Sequence, residues 1–185
     1  MHKTKLVIAT TIVLYCNSSI YADSHDSLSN VSQEEIAIFS VYLTHPYAEP
    51  IKPVGVNKKT ISPKIVGTWT KQIEEYLLSE LKGISPETVI SYYENNKSLS
   101  NIPPNIRSNA QLVFEDEYSI EIVRKYTHPP GFISFSKVGF NNDRTQALML
   151  IDQHWGISAG GRSYVLFEKE GDSWKVKTTH FTAKY

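Results

Sequence analysis

The hydrophobic pattern of this chain changes period along its length. Helical spacing prevails before residue 100 and two-residue alternation after residue 130. Apolar positions three and four apart mark a helix face, whereas alternation marks a half-buried strand. Ser32-Gln33-Glu34-Glu35 opens the first helical stretch as a capping box. The Ser32 hydroxyl can accept from the N–H of Glu35 while the Glu35 carboxylate reaches back to the N–H of Ser32, and Val31 and Ile36 are placed for a hydrophobic staple. Ile36, Ile38, Phe39, Val41, Tyr42 and Leu43 cover most sides of this helix, the composition of a buried one, and Pro46 ends it. Ile73, Tyr76, Leu77 and Leu81 recur at helical spacing up to Gly83. Ser85-Pro86-Glu87 starts a third helix with a cap, a proline at the first helical position and an early acid. It runs out at Asn95-Asn96.

Glu49 to Thr60 holds two prolines and alternating Ile51, Val54 and Val56, which predicts one short edge strand. Gln111 to Glu115 is a second short strand. Glu117 to Tyr126 fits a helix through Tyr118, Ile122 and Tyr126 and a strand through its β-branched residues; helix is the preferred reading. After Pro129-Pro130-Gly131, four strand-length runs follow: Phe132 to Val138, Thr145 to His154, Ser163 to Glu170 and Trp174 to Phe181. The turn clusters between them are short, which implies antiparallel neighbours and a four-stranded meander. Ala147 to Ile151 is apolar at every position, as in a strand covered on both faces. Trp174 and Val176 share one face of the last hairpin, where Trp174 is expected deep in the core. The fold class predicted is α+β, with N-terminal helices packed on an antiparallel sheet.

The first 22 residues have a different character. His2, Lys3 and Lys5 form a basic start, Leu6 to Cys16 is uncharged and mostly apolar, and Ile20-Tyr21-Ala22 offers a small residue for cleavage. This is the pattern of a secretory signal peptide. The apolar stretch is shorter than the roughly 20 residues that cross a bilayer as a helix. A buried first helix is the alternative, opposed by the polar run Asp23 to Asn30 that follows at once. A lipoprotein reading at Cys16 is opposed by bulky Tyr15. The expected organisation is a signal peptide over 1–22, a flexible segment over 23–31 and one α+β domain over 32–185, working in the periplasm or outside the cell.

Composition narrows the function classes. The chain has 185 residues, ordinary for one domain, with 41% hydrophobic and 21% charged residues. Lys and Arg balance Asp and Glu at 19 each. Without Lys3 and Lys5, no basic excess remains to neutralise phosphates, so nucleic acid is not an expected partner. Cys16 is the single cysteine. A chain cleaved after Ala22 has no disulfide and no thiolate chemistry.

One segment carries a resemblance. The run Gly131-Phe132-Ile133-Ser134-Phe135-Ser136-Lys137-Val138-Gly139-Phe140-Asn141, continuing to Gln146-Ala147-Leu148, resembles a segment of a group of uncharacterised bacterial exported proteins. The likeness extends into Tyr164 to Lys169 and Trp174-Lys175-Val176, covering about the last third of the chain. It implies an envelope or secreted protein and no known activity. Where those relatives often have a cysteine- and glycine-rich turn, this chain has His154 to Gly161, so any role of paired cysteines there does not transfer. Read physically, Ser136 to Phe140 is structural: Gly139 supplies a bulge or strand end, Phe140 plugs the core, and Asn141 and Asp143 bond their own turn.

Candidate chemistry is sparse. Asp152 and His154, two apart on a strand, point to one face and could together bind a metal or move a proton. Zinc needs about three protein ligands, and only His45, His128 and His180 are left as distant donors, so no metal or cofactor is expected. Gly160-Gly161-Arg162-Ser163 lacks the lysine and helix of a phosphate-binding loop. Ser136 and Ser163 lack a nucleophile-elbow context. Two functions stay open. One is a non-catalytic interaction module, such as an inhibitor or immunity-type protein, whose unknown protein or small-molecule partner meets Asp152, His154, Trp155 and Arg162. The other is a small hydrolase or metal-assisted enzyme built on Asp152 and His154. The signal-peptide reading predicts that the exported protein begins at Asp23. Mass spectrometry of the mature chain tests it; an intact Met1 terminus or a lipid on Cys16 would refute it.

Overall fold

The computed structural model describes residues 29–44, 52–62, 71–116 and 119–184. The proposed signal peptide, Cys16 and His45 lie outside them. The elements run α1 (Gln33–Thr44), β1 (Val54–Asn57), α2 (Lys71–Glu80), α3 (Pro86–Asn95), β2 (Leu112–Glu115), α4 (Ile120–Val123), β3 (Phe132–Phe135), β4 (Gly139–Phe140), β5 (Gln146–His154), β6 (Gly160–Glu170) and β7 (Ser173–Lys184). The architecture is α+β. One sheet has strand order β2-β1-β3-β5-β6-β7, with β4 also pairing β5. Pairing is antiparallel except where β1 meets β2 and β3.

The capping box forms as the residues dictate. Ser32 N–H donates to Glu35 Oε2 at 2.8 Å, and Glu35 N–H donates to Ser32 Oγ at 3.2 Å. Residues 29–31, assigned from sequence to a flexible leading segment, are instead tied down: Val31 is buried and its N–H donates to Asn101 O at 3.0 Å. The strand β1 is also not an edge strand. It lies between β2 and β3, because Pro53 precedes its first paired residue and removes no ladder hydrogen bond. Of the helix expected over Glu117–Tyr126, the described residues 119–126 form a single turn, α4, capped by the Ser119 hydroxyl, and Glu117 and Tyr118 lie outside them.

Two apolar clusters lie on opposite faces of the sheet. One joins Ile36, Phe39 and Leu43 of α1 to Ile133, Phe135, Met149, Ile151, Val165 and Phe167. The other joins Leu77 and Leu81, Val89 and Tyr92 to Leu148, Leu150, Tyr164 and Leu166. The strand β5 feeds both, as its unbroken apolar run requires. Trp174 is only half-buried. It sits at the rim of the first cluster, with its ring centroid 5.9 Å from that of Phe140, because β7 is the outer strand and has no further neighbour to cover it.

Between β3 and β4 the chain leaves the ladder at Ser136–Val138, and side chains from α1, from the end of α3 and from Ser136 itself replace the lost pairing. Ser136 Oγ accepts from Leu150 N–H at 2.8 Å. Glu35 Oε1 accepts from the buried N–H of Val138 at 3.1 Å. Asn96 accepts from Lys137 N–H at 2.9 Å and donates to Lys137 O at 3.0 Å, while Asn95 donates to Val138 O at 2.7 Å. A buried backbone group without a partner costs about as much as a lost hydrogen bond, so α1 and the end of α3 are both fixed to this segment. Gly139 lets α3 approach: a Cβ there would lie 2.2 Å from Tyr92 N. Gly139→Ala is therefore expected to destabilise the fold by about 3 kcal/mol or more, at or above the upper end for overpacking, since backbone rather than a side chain must yield. Urea denaturation measures it; an unchanged midpoint would show that α3 does not rest on β4.

Candidate functional site

A polar row crosses the sheet on the face that carries α2 and α3. Pairing puts Glu115 beside Asn57, Ser134 beside Asp152 and Asp152 beside Arg162. Asn57 Nδ2 donates to Ser134 Oγ at 3.4 Å and closes the gap between β1 and β3. Asn57, Ser134 and Asp152 are all buried. On one side of the row lies the apolar layer of Leu148, Leu150 and Leu166 under the two helices. On the other, the Tyr126 ring lies over Gly55, where a Cβ would come within 2.6 Å of it, and beside Phe132 at 6.2 Å between centroids. Tyr126 also donates to Glu115 Oε1 at 3.0 Å.

Asp152, His154 and Arg162 meet at the centre of this row. Arg162 donates from Nε at 3.2 Å and Nη2 at 2.5 Å, both to Asp152 Oδ2. His154 Nε2 stands 3.2 Å from the other oxygen, Oδ1. Burial pushes the Asp152 carboxyl up, but His154 and Arg162 outweigh it and hold the group below the usual carboxylate range. Asp152 is thus an ionised acceptor committed to a cation.

Trp155 is not brought to this cluster by any contact described. It is half-buried at the start of the turn to β6, where its N–H donates to Ala159 O at 3.0 Å, and strand alternation sets it out of phase with Asp152 and His154. His128 is exposed. His180 belongs to another cluster: Nε2 is 2.6 Å from the Tyr76 hydroxyl and Nδ1 is 3.5 Å from Glu80 Oε2. Among the described residues no group of three or more His, Cys, Asp or Glu is arranged to hold a metal. The two cavities described, of 220 and 570 Å³, lie by Phe114 and beside α1, away from Asp152.

Sequence reasoning passed over Asn57, Ser134 and two tyrosines. Tyr92 and Tyr164 pack edge to face, with centroids 5.8 Å apart. Burial drives both phenols up, Tyr92 well above its usual value and Tyr164 to about 12. The signal available was Ser134, a polar residue inside a strand otherwise written in bulky apolar residues. Comparison of the chain with family models, with curated proteins and with solved structures finds no match.

The depressed Asp152 carboxyl fixes a sign. A carboxylate whose folded pKa lies below its unfolded value, about 3.9, stabilises the fold above that value and loses the effect as pH falls through the folded pKa. Arg162 is partly exposed (38% for its side chain), so solvent screens the pair and the effect is on the order of 1 kcal/mol rather than the 3–5 kcal/mol of a fully buried pair. Asp152→Asn should therefore be less stable than the parent at neutral pH, with the gap closing below about pH 4. Urea midpoints across that range test this; a gap independent of pH would mean the carboxylate carries no net ionic stabilisation.

Proposed function

We propose that this chain is an exported, non-catalytic binding module of the periplasm or cell exterior, with its binding face at Asp152, His154 and Arg162 and the adjoining turn at Trp155. The observation that carries the reading is the state of Asp152. Its carboxylate is ionised and taken up by Arg162, so it is poorly suited to accept a proton near neutral pH, where a general base works best with a pKa near the operating pH. Charged and aromatic groups of this kind commonly carry binding energy at interfaces. The signal-peptide pattern and the resemblance of the 131–148 segment to exported bacterial proteins support the location.

A second reading rests on the 3.2 Å approach of Asp152 to His154. A carboxylate that orients an imidazole is one half of a general-base device, and it would make the chain a small hydrolase or metal-assisted enzyme of the envelope.

The two readings part on mutation. Removing Arg162 outright would strand a buried carboxylate, so the informative variant keeps the charge: His154→Gln, Trp155→Ala and Arg162→Lys combined. Binding to a partner captured from envelope extracts and then purified should weaken by about tenfold or more, equivalent to about 1.4 kcal/mol, while the melting midpoint stays close to the parent. Unchanged binding would remove this face from the reading. Hydrolysis of a model ester or glycoside by the parent, lost in His154→Gln, would favour the enzyme.

A further inference from the structure

Helix α2 sets two of its side chains on the last strand. Tyr76 and Glu80 are four residues apart on α2 and so share one face of it, and both reach His180 of β7. The Tyr76 hydroxyl is 2.6 Å from Nε2 of the imidazole, and Glu80 Oε2 is 3.5 Å from Nδ1. The two rings meet edge to face, with centroids 5.5 Å apart. His180 reaches this position because it pairs with Tyr164, which packs among residues of α2 and α3. The pair is open to solvent, with Tyr76 41% exposed.

The two contacts select a tautomer. A carboxylate only accepts, so the ring nitrogen facing Glu80, Nδ1, carries the proton, and Nε2 is left with a lone pair. The phenol is then the donor, Tyr76 O–H to His180 Nε2. Glu80, His180 and Tyr76 form a line of orienting carboxylate, base and nucleophile. This is the relation that activates a hydroxyl for covalent chemistry, and the hydroxyl lies within the reach of about 2.6–3.2 Å that it requires.

The phenol narrows the reaction partner. Reference pKa values are about 10 for a phenol and about 8.5 for a thiol, so a thiolate is the better leaving group. An acyl group therefore moves downhill onto a phenol from a thioester, and uphill from an alkyl ester, whose alkoxide is more basic still. We propose that Tyr76 is a covalent acceptor site for acyl groups from donors of thioester type, with His180 as its base and Glu80 as the residue that positions the imidazole. Tyr76 Oη attacks the acyl carbon; a C–O bond forms, the C–S bond breaks, and the electron pair leaves on sulfur. The phenol proton passes to His180 Nε2 and on to the departing thiolate. Nothing is oxidised or reduced. The site goes beyond the binding face at Asp152 and does not depend on it, and a single transfer onto the chain needs no turnover.

The test treats the purified chain with S-phenyl thioacetate and maps the acetyl groups by peptide mass spectrometry. Acetylation of Tyr76 should run ahead of every other tyrosine. His180→Gln should slow it by about a hundredfold, the lower end for general-base catalysis. His128→Gln, which alters an exposed histidine elsewhere, should react as the parent does. Nitrogen NMR of the His180 ring should find its proton on Nδ1, and Glu80→Gln should weaken that preference along with the labelling. Amide dispersion shows that each variant is folded. A ring proton on Nε2 overturns the proposal, because the imidazole would then donate to Tyr76 rather than accept from it. Acetylation confined to lysines, or an undiminished Tyr76 adduct in His180→Gln, overturns it as well. None of these outcomes bears on the Asp152 face, which is read by partner binding.

Discussion

The fold depends on how the chain satisfies the backbone N–H and C=O groups of Lys137 and Val138. A strand that leaves its ladder in the middle of a sheet exposes N–H and C=O groups where water cannot reach, and each needs a partner. Here Glu35 comes from the first turn of α1, Asn95 and Asn96 from the end of α3, and Ser136 from the strand itself. These contacts span up to 103 residues of sequence. They fix one helix to each face of the sheet, and they explain why a carboxylate and two asparagines sit where ordinary packing would choose apolar groups. The capping box gains a second purpose: Glu35 Oε2 closes the box while Oε1 holds the sheet.

Much of the local structure was legible because its causes are local. The Ser32 box, the Ser85-Pro86 start and the Gly83 and Gly171 turns depend on a few adjacent residues, and they form where the sequence places them. Ser136 to Phe140 does pack as structure, but Gly139 serves the close approach of α3 rather than a backbone angle closed to other residues, and Phe140 is half-buried against the core rather than plugging it. The parts that were not legible depend on distant partners. Nothing near Val54 says that β1 pairs in parallel with both β2 and β3, since those neighbours lie far along the chain. Trp174 looks like core by alternation, yet an outer strand covers its residues on one side only. The segment around Tyr126 kept features of both helix and strand because its position is set by a tertiary contact, the ring lying over Gly55.

The candidate site was half legible for the same reason. Period-two spacing was enough to put Asp152 and His154 on one face, and the short connection to β6 brought Arg162 alongside. Asn57 and Ser134 join the row through strand pairings that their own neighbourhoods do not announce. Trp155 shows the reverse failure: it is close in sequence and out of phase in space.

The position of the polar row bears on what it can do. A row of polar side chains at the middle of a sheet face is costly where helices cover it, and this one lies between two covered patches rather than beneath either. Leu148, Leu150 and Leu166 carry the helical layer, and Phe132 with Gly55 carries Tyr126. Asp152 is placed at the boundary, buried enough for its charge to need Arg162, whose partly exposed guanidinium brings the pair to the surface. A purely structural ion pair would be expected to use both carboxylate oxygens in the fork geometry that Arg favours. Instead both Arg162 donors fall on Oδ2 and Oδ1 faces His154 Nε2 at 3.2 Å, so the one carboxylate is shared between two side chains of the sheet face.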